Sequence, residues 1–124
     1  MCDTAELKVA KGKDYVMGCG PTMVEPGQEA EISVESGCSF HPERVIIPAD
    51  IADAFTILDL IIDGLFQIRD GRPIPAVRFA HDATDNRLWM TPICAHGFVK
   101  IRVLNRSKER REFVMALVGP AKDR

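Results

Sequence analysis

Along much of this chain apolar and polar residues alternate with a period of two. In Glu29-Ala30-Glu31-Ile32-Ser33-Val34-Glu35 every second residue is apolar and the rest are acidic or polar. A strand with one buried face requires this pattern. Phe40 to Ile47 reads as a further strand closed by Pro48, with Pro42 marking an edge or a bulge near its start. Residues 50–65 admit two readings. Ile51, Phe55, Leu58, Ile62 and Leu65 fall at helical spacing behind Asp50, an N-cap candidate. A helix would leave Ile57, Leu60 and Ile61 on its other side, with no polar face. The β-branched content and the turn dipeptide Asp63-Gly64 favour a short turn at 49–53 and a strand at 54–62.

Leu65 to Arg69 alternates again, and Asp70-Gly71-Arg72-Pro73 reads as a turn. Ala76 to Ala80, Arg87 to Met90, Phe98 to Leu104 and Glu112 to Val118 complete the predicted strands. Phe98, Lys100, Arg102 and Leu104 share one face, and Val99, Ile101 and Val103 share the other. Asn105 to Lys108 is expected to be a polar hairpin turn. The last strand is apolar on both faces, which calls for a central place in a sheet or cover by a partner. Residues 1–27 are punctuated by Gly12, Gly18, Gly20, Pro21, Pro26 and Gly27 and read as an irregular arm. Within it, Tyr15-Val16-Met17 and Thr22-Met23-Val24 are short edge-strand candidates. The expected fold is all-β: an antiparallel, jelly-roll-like β-sandwich of eight or nine short strands over 28–119, with an irregular N-terminal arm (1–27) and a C-terminal tail (120–124).

Composition narrows the classes. At 124 residues, 46% hydrophobic and 27% charged, the chain has enough apolar content for one globular core. A net charge of −2 gives no electrostatic basis for sequence-specific nucleic-acid binding. The densest apolar stretch, Phe55 to Ile62, is eight residues and contains Thr56 and Asp59, far short of the roughly 18–20 that a membrane helix needs. The first residues lack the apolar region of a signal peptide, so a protein that is not secreted is expected. In a cytosol the four cysteines, Cys2, Cys19, Cys38 and Cys94, are expected to be thiols.

Candidate chemistry is sparse. Cys38-x2-His41 with Cys94-x-His96 is the one set with zinc-ligand residue types. Its spacing is not that of a structural knuckle, and buried thiols in strands are the ordinary alternative. A Cys–His nucleophile drawn from the same residues lacks an orienting third group. Asp50, Asp53, Asp59, Asp63 and Asp70 are spread among Ile and Leu rather than gathered in one calcium loop. Arg106-Ser107-Lys108-Glu109-Arg110-Arg111 reads as a solvated tip. Trp89 is either core or, with the loop from Arg69 to Pro75, a stacking platform for a carbohydrate. Phosphate loops, nucleophile elbows and dinucleotide fingerprints are absent. The expectation is no catalytic site, no metal, no cofactor and no small-molecule ligand.

Phe40-x-Pro42-Glu43-Arg44-Val45-x-Ile47-Pro48, Phe55-x-Ile57-x-Asp59, Ile74-Pro75-Ala76-x-x-Phe79, Ile101-x-Val103-x-Asn105 and Phe113-x-x-x-Leu117-x-Gly119 together resemble small phage-type structural proteins of single-jelly-roll form. The resemblance covers residues 40–119. It implies a minor capsid or decoration subunit of a virion, assembled in the host cytoplasm, with itself and other capsid proteins as partners. It transfers no functional residues.

Overall fold

The computed structural model describes residues 14–68, 73–80, 82, 83, 87, 88 and 90–121. The alternating segments pair into two antiparallel sheets. The smaller contains β1 (Asp14–Val24), β8 (Arg111–Pro120) and β3 (Arg44–Ile46), in the order β1-β8-β3. The larger runs β2 (Glu29–Glu35), β7 (Phe98–Asn105), β4 (Phe55–Ile62) and β5 (Leu65–Phe66), with β6 (Ile74–Pro75) also paired to β4. The chain thus crosses between sheets at β1–β2, β3–β4 and β7–β8 at one end and at β2–β3 at the other. Isolated bridges Arg44–Arg87 and Phe40–Ile93 bring the chain back along the side of β3 that faces away from β8. Four strand positions then oppose four, the winding of a jelly roll. The all-β sandwich expected from the pattern is the fold observed.

The core lies between the sheets. Phe113, Met115 and Leu117 of β8 face Val99, Ile101 and Val103 of β7, all buried. Phe113 meets Phe55 of the opposite sheet edge-on, with ring centroids 4.9 Å apart. Each such side chain stabilises the fold by about 1.5–3 kcal/mol relative to exposure. Two bulges set which residues point inward. Between Ile57 and Asp59 the pairing of β4 with β7 shifts by one residue, so Phe55 and Ile57 and then Leu60 and Ile62 are all buried. This shift is why the segment looks two-faced in sequence. In β1 the shift falls between Cys19 and Thr22, across the cis Gly20–Pro21 bond. A side chain on Gly20 would meet the Phe113 carbonyl at 2.6 Å, and its φ is +98°, so glycine is required there.

Several expectations are corrected. The described part of the arm is no irregular segment: β1 is an 11-residue strand joining both short candidates into one edge of the smaller sheet. Residues 49–53 do form a turn, as the one-turn helix α1 (Ala49–Ala52), but Pro48 rather than Asp50 occupies its N-cap position. Beyond Asp63-Gly64 only Leu65–Phe66 pair, a shorter strand than expected. Ala76–Phe79 is a 3-10 turn instead of a strand. Pro75 fixes an extended entry to it, and the buried Ala76 and Phe79 stand three residues apart, which is the 3-10 repeat. Among the described residues of Arg87–Met90, strand pairing is confined to the bridge at Arg87.

The β7–β8 connection is not a hairpin, because its strands belong to different sheets. Asn105, fully buried, organises this arch. Its Nδ2 donates to the carbonyls of Val24 and Glu109, both at 2.9 Å. Its Oδ1 accepts from the Ser107 N–H at 2.9 Å and from the Ser107 hydroxyl at 2.7 Å. Its backbone exchanges bonds with Gly27 and Gln28 of the β1–β2 turn. Asn105→Ala leaves the Val24 carbonyl without this donor. We expect a loss of about 3 kcal/mol, read as a lower urea midpoint; an unchanged midpoint would show that the arch does not depend on the amide.

Candidate functional site

The chemistry-bearing residues of the sequence are spread over the fold. Cys38 is buried; its carbonyl accepts the Ser36 hydroxyl at 2.6 Å. His41 donates through Nε2 to the Met90 carbonyl at 3.1 Å. His96 sits on a left-handed turn residue with φ 69° and donates from Nδ1 to the Glu35 carboxylate at 2.7 Å. Cys94 is disulfide-bonded, to a partner outside the described residues. This corrects the expectation of four thiols, which rested on compartment and not on geometry. Among the described residues no group of three or more His, Cys, Asp or Glu could hold a metal ion. Asp59 pairs with Arg102 and Asp63 accepts the Phe98 N–H at 2.9 Å, so both carboxylates serve the larger sheet. At the arch, Arg110 pairs with Glu25 at 3.1 Å, so part of the basic run is tied to acidic neighbours. Trp89 and residues 69–72 lie outside the described residues. Among those described, no helix is long and apolar enough to cross a membrane.

The two outer sheet faces differ in chemistry. On the larger sheet, β2 presents Glu29, Glu31, Ser33 and Glu35 in register with Leu104, Arg102, Lys100 and Phe98 of β7. Arg102 reaches Glu29 at 2.9 Å and also Asp59, joining β2, β7 and β4 across a wet surface. Hydrogen bonds that it donates to these two carboxylates push its guanidinium pKa up further. Phe98 and Phe66 stand exposed at the end of this face, around a cleft of about 250 Å³ shared with Ile61, Asp63 and Lys100.

On the smaller sheet the outward positions are apolar in the middle and charged at the ends, where Asp14 and Arg44 pair at 3.1 Å and Glu112 lies opposite Met23. Val16 pairs with Val118, and Gly18 with Ala116, which pairs on its other side with Ile46. Gly18 and Ala116 are the smallest side chains in this row, and the sheet sinks there into a groove of about 620 Å³. Ile46, Pro48, Ala49 and Val114 wall it and Asp50 stands at its rim. β8 is the central strand, as its two apolar faces required, and on its outer face Val118 is buried while Val114 and Ala116 stay half-buried. The face was legible in part, since Val114, Ala116 and Val118 share one phase of an apolar strand. The groove was not, because it depends on Gly18 of β1 lying opposite Ala116.

Comparison with protein-family models, with curated proteins and with solved structures finds no match for this chain. The fold and the two faces are therefore the basis for a functional reading.

Burial pushes the Cys19 thiol up to about 12 from 9.0, and raises that of Cys38 as well. Folded Cys19 keeps its proton where the unfolded chain has lost it, so stability is full below pH 9 and falls as pH rises from 9.0 towards 12. Cys19→Ala should flatten that alkaline decline, and an unaltered slope in urea titrations at several pH values would contradict it. Alkylation in denaturant without reductant should label Cys19 and Cys38 but leave Cys94 unmodified until a reductant is added. Labelling of Cys94 before reduction would rule out its disulfide.

Proposed function

We propose that this chain is a non-enzymatic assembly subunit that docks through the outer face of its smaller sheet onto further copies of itself. Its setting is a virion, where it acts as a minor capsid or decoration subunit alongside other capsid proteins. The observation that carries the assembly reading is the asymmetry of the two outer faces. The larger sheet spreads charges across its strands, whereas on the smaller one Val16, Gly18, Ile46, Val114 and Ala116 leave an apolar patch that crosses all three strands between the Asp14–Arg44 ion pair and Glu112. A contiguous apolar surface on a small domain is stabilised by cover, at about 25 cal/mol for each Å² removed from water. The virion setting is supported by the resemblance of residues 40–119, and a host-cytoplasmic origin belongs to that setting. The carbohydrate alternative centred on Trp89 has no described residue to favour it.

Light scattering on size-separated protein tests the reading. The wild-type chain should run as a discrete multimer. Ala116→Glu places a carboxylate on the groove floor, where it faces solvent in the separate subunit. It should weaken association at least tenfold, about 1.4 kcal/mol, with the urea midpoint little changed. A wild-type chain that stays monomeric at the highest soluble concentration overturns the proposal.

A further inference from the structure

Among the described residues and apart from Val77, the exposed large apolar side chains fall in two places, on opposite sheets. Val16 and Met23 belong to β1 of the smaller sheet, Val16 two residues from the Gly18 that floors the groove with Ala116, and Met23 opposite Glu112. Leu65, Phe66 and Phe98 gather on the larger sheet near the β4–β5 turn, Phe66 being 66% and Phe98 52% exposed. The first site is a depression; at the second the two rings stand more than half exposed on either side of a smaller cleft, as a paired ridge. Asp50 stands at the rim of the groove, and Lys100 lines the cleft beside the two rings together with Asp63, whose carboxylate accepts the Phe98 N–H. Neither Asp50 nor Lys100 takes part in an ion pair among the described residues.

We propose that the groove receives the Phe66–Phe98 ridge of a second copy, with Asp50 of one subunit against Lys100 of the next. The inference rests on the assembly reading above and names the contact. A cavity of about 150 Å³ accommodates one benzene ring, so a groove of about 620 Å³ accepts both phenylalanines. Two grooves apposed about a two-fold axis would instead bring concavity to concavity. The void between them would forfeit dispersion contacts on both linings, and the ridge would stay in water. Because groove and ridge are different surfaces of one chain, the contact is heterologous. Each subunit offers one free groove and one free ridge, so the assembly grows until it closes into a ring or continues as an open string.

Complementation tests this directly. Gly18→Leu fills the groove, and a Cβ at Gly18 meets nothing within 4 Å in the separate subunit. Phe66→Ser with Phe98→Ser removes the ridge at exposed positions. Each variant alone should be monomeric in native mass spectrometry. Mixed in equal amounts they should give a single heterodimer and nothing larger, because one supplies the ridge and the other the groove. A ridge-less variant that still assembles as the wild type does overturns the heterologous contact while leaving the assembly reading intact, as does a mixture that yields no heterodimer. A monomeric wild type overturns both. Should either variant misfold, charge reversal decides. Asp50→Lys should weaken association about tenfold, 1.4 kcal/mol, and adding Lys100→Asp in the same chain should restore it. No weakening, or no restoration, overturns the pairing.

Discussion

The carboxamide of Asn105 holds one end of the sandwich together, and the placing of the other elements follows from it. It is a fully buried polar side chain among apolar neighbours, tolerable only because both its nitrogen and its oxygen are satisfied. Through it the end of β1, the β1–β2 turn and the β7–β8 arch become one hydrogen-bonded unit. The adjoining Arg106 N–H donates to the Ala54 carbonyl at 2.7 Å, which adds the entry to β4. A chain that must cross between sheets at the same end three times needs such a fixed point. It ties the end of β7 to the approach to β8, the two strands that lie central in their sheets.

With those two strands central, the faces follow from pairing. Phase along β8 sends Phe113, Met115 and Leu117 into the core and Val114 and Ala116 outward. Register with β1 brings Gly18 to Ala116, and register with β3 brings Ile46 to the same row. The groove is thus a consequence of sheet order, not of any local motif. The opposite face is settled in the same way: Lys100 and Arg102 point outward from β7, and Phe98 shares their phase. A large aromatic in phase with two cations is a sequence-level sign of an exposed ring.

What could be read from the sequence was whatever period two reports. The strands at 29–35, 54–62, 98–104 and 112–118, the turn at 63–64 and the centrality of the last strand all follow from local alternation. Three things did not. Across Gly20–Pro21 the bulge reverses the phase of β1, so one long strand read as two fragments in an irregular arm. At Leu58 a bulge made a one-faced strand resemble a helix. At Asn105 a polar stretch between two strands fits a hairpin as well as an arch, because alternation says nothing about which sheet a strand joins. The disulfide at Cys94 escaped for a related reason: pairing of distant residues leaves no local trace. For the site, residue types pointed to cysteines, histidines and a tryptophan, while the surface that stands out is built from Gly, Ala, Val and Ile.

The central claim is that assembly covers the outer face of the smaller sheet. Hydroxyl-radical footprinting over a concentration series tests it most directly, with Val16 and Met23 as reporters, 60% and 47% exposed in the separate subunit. The account predicts that labelling of both falls as the multimer forms, while that of Val77, 49% exposed and lining neither the groove nor the cleft, stays constant. Assembly that leaves Val16 and Met23 as reactive as before would contradict it.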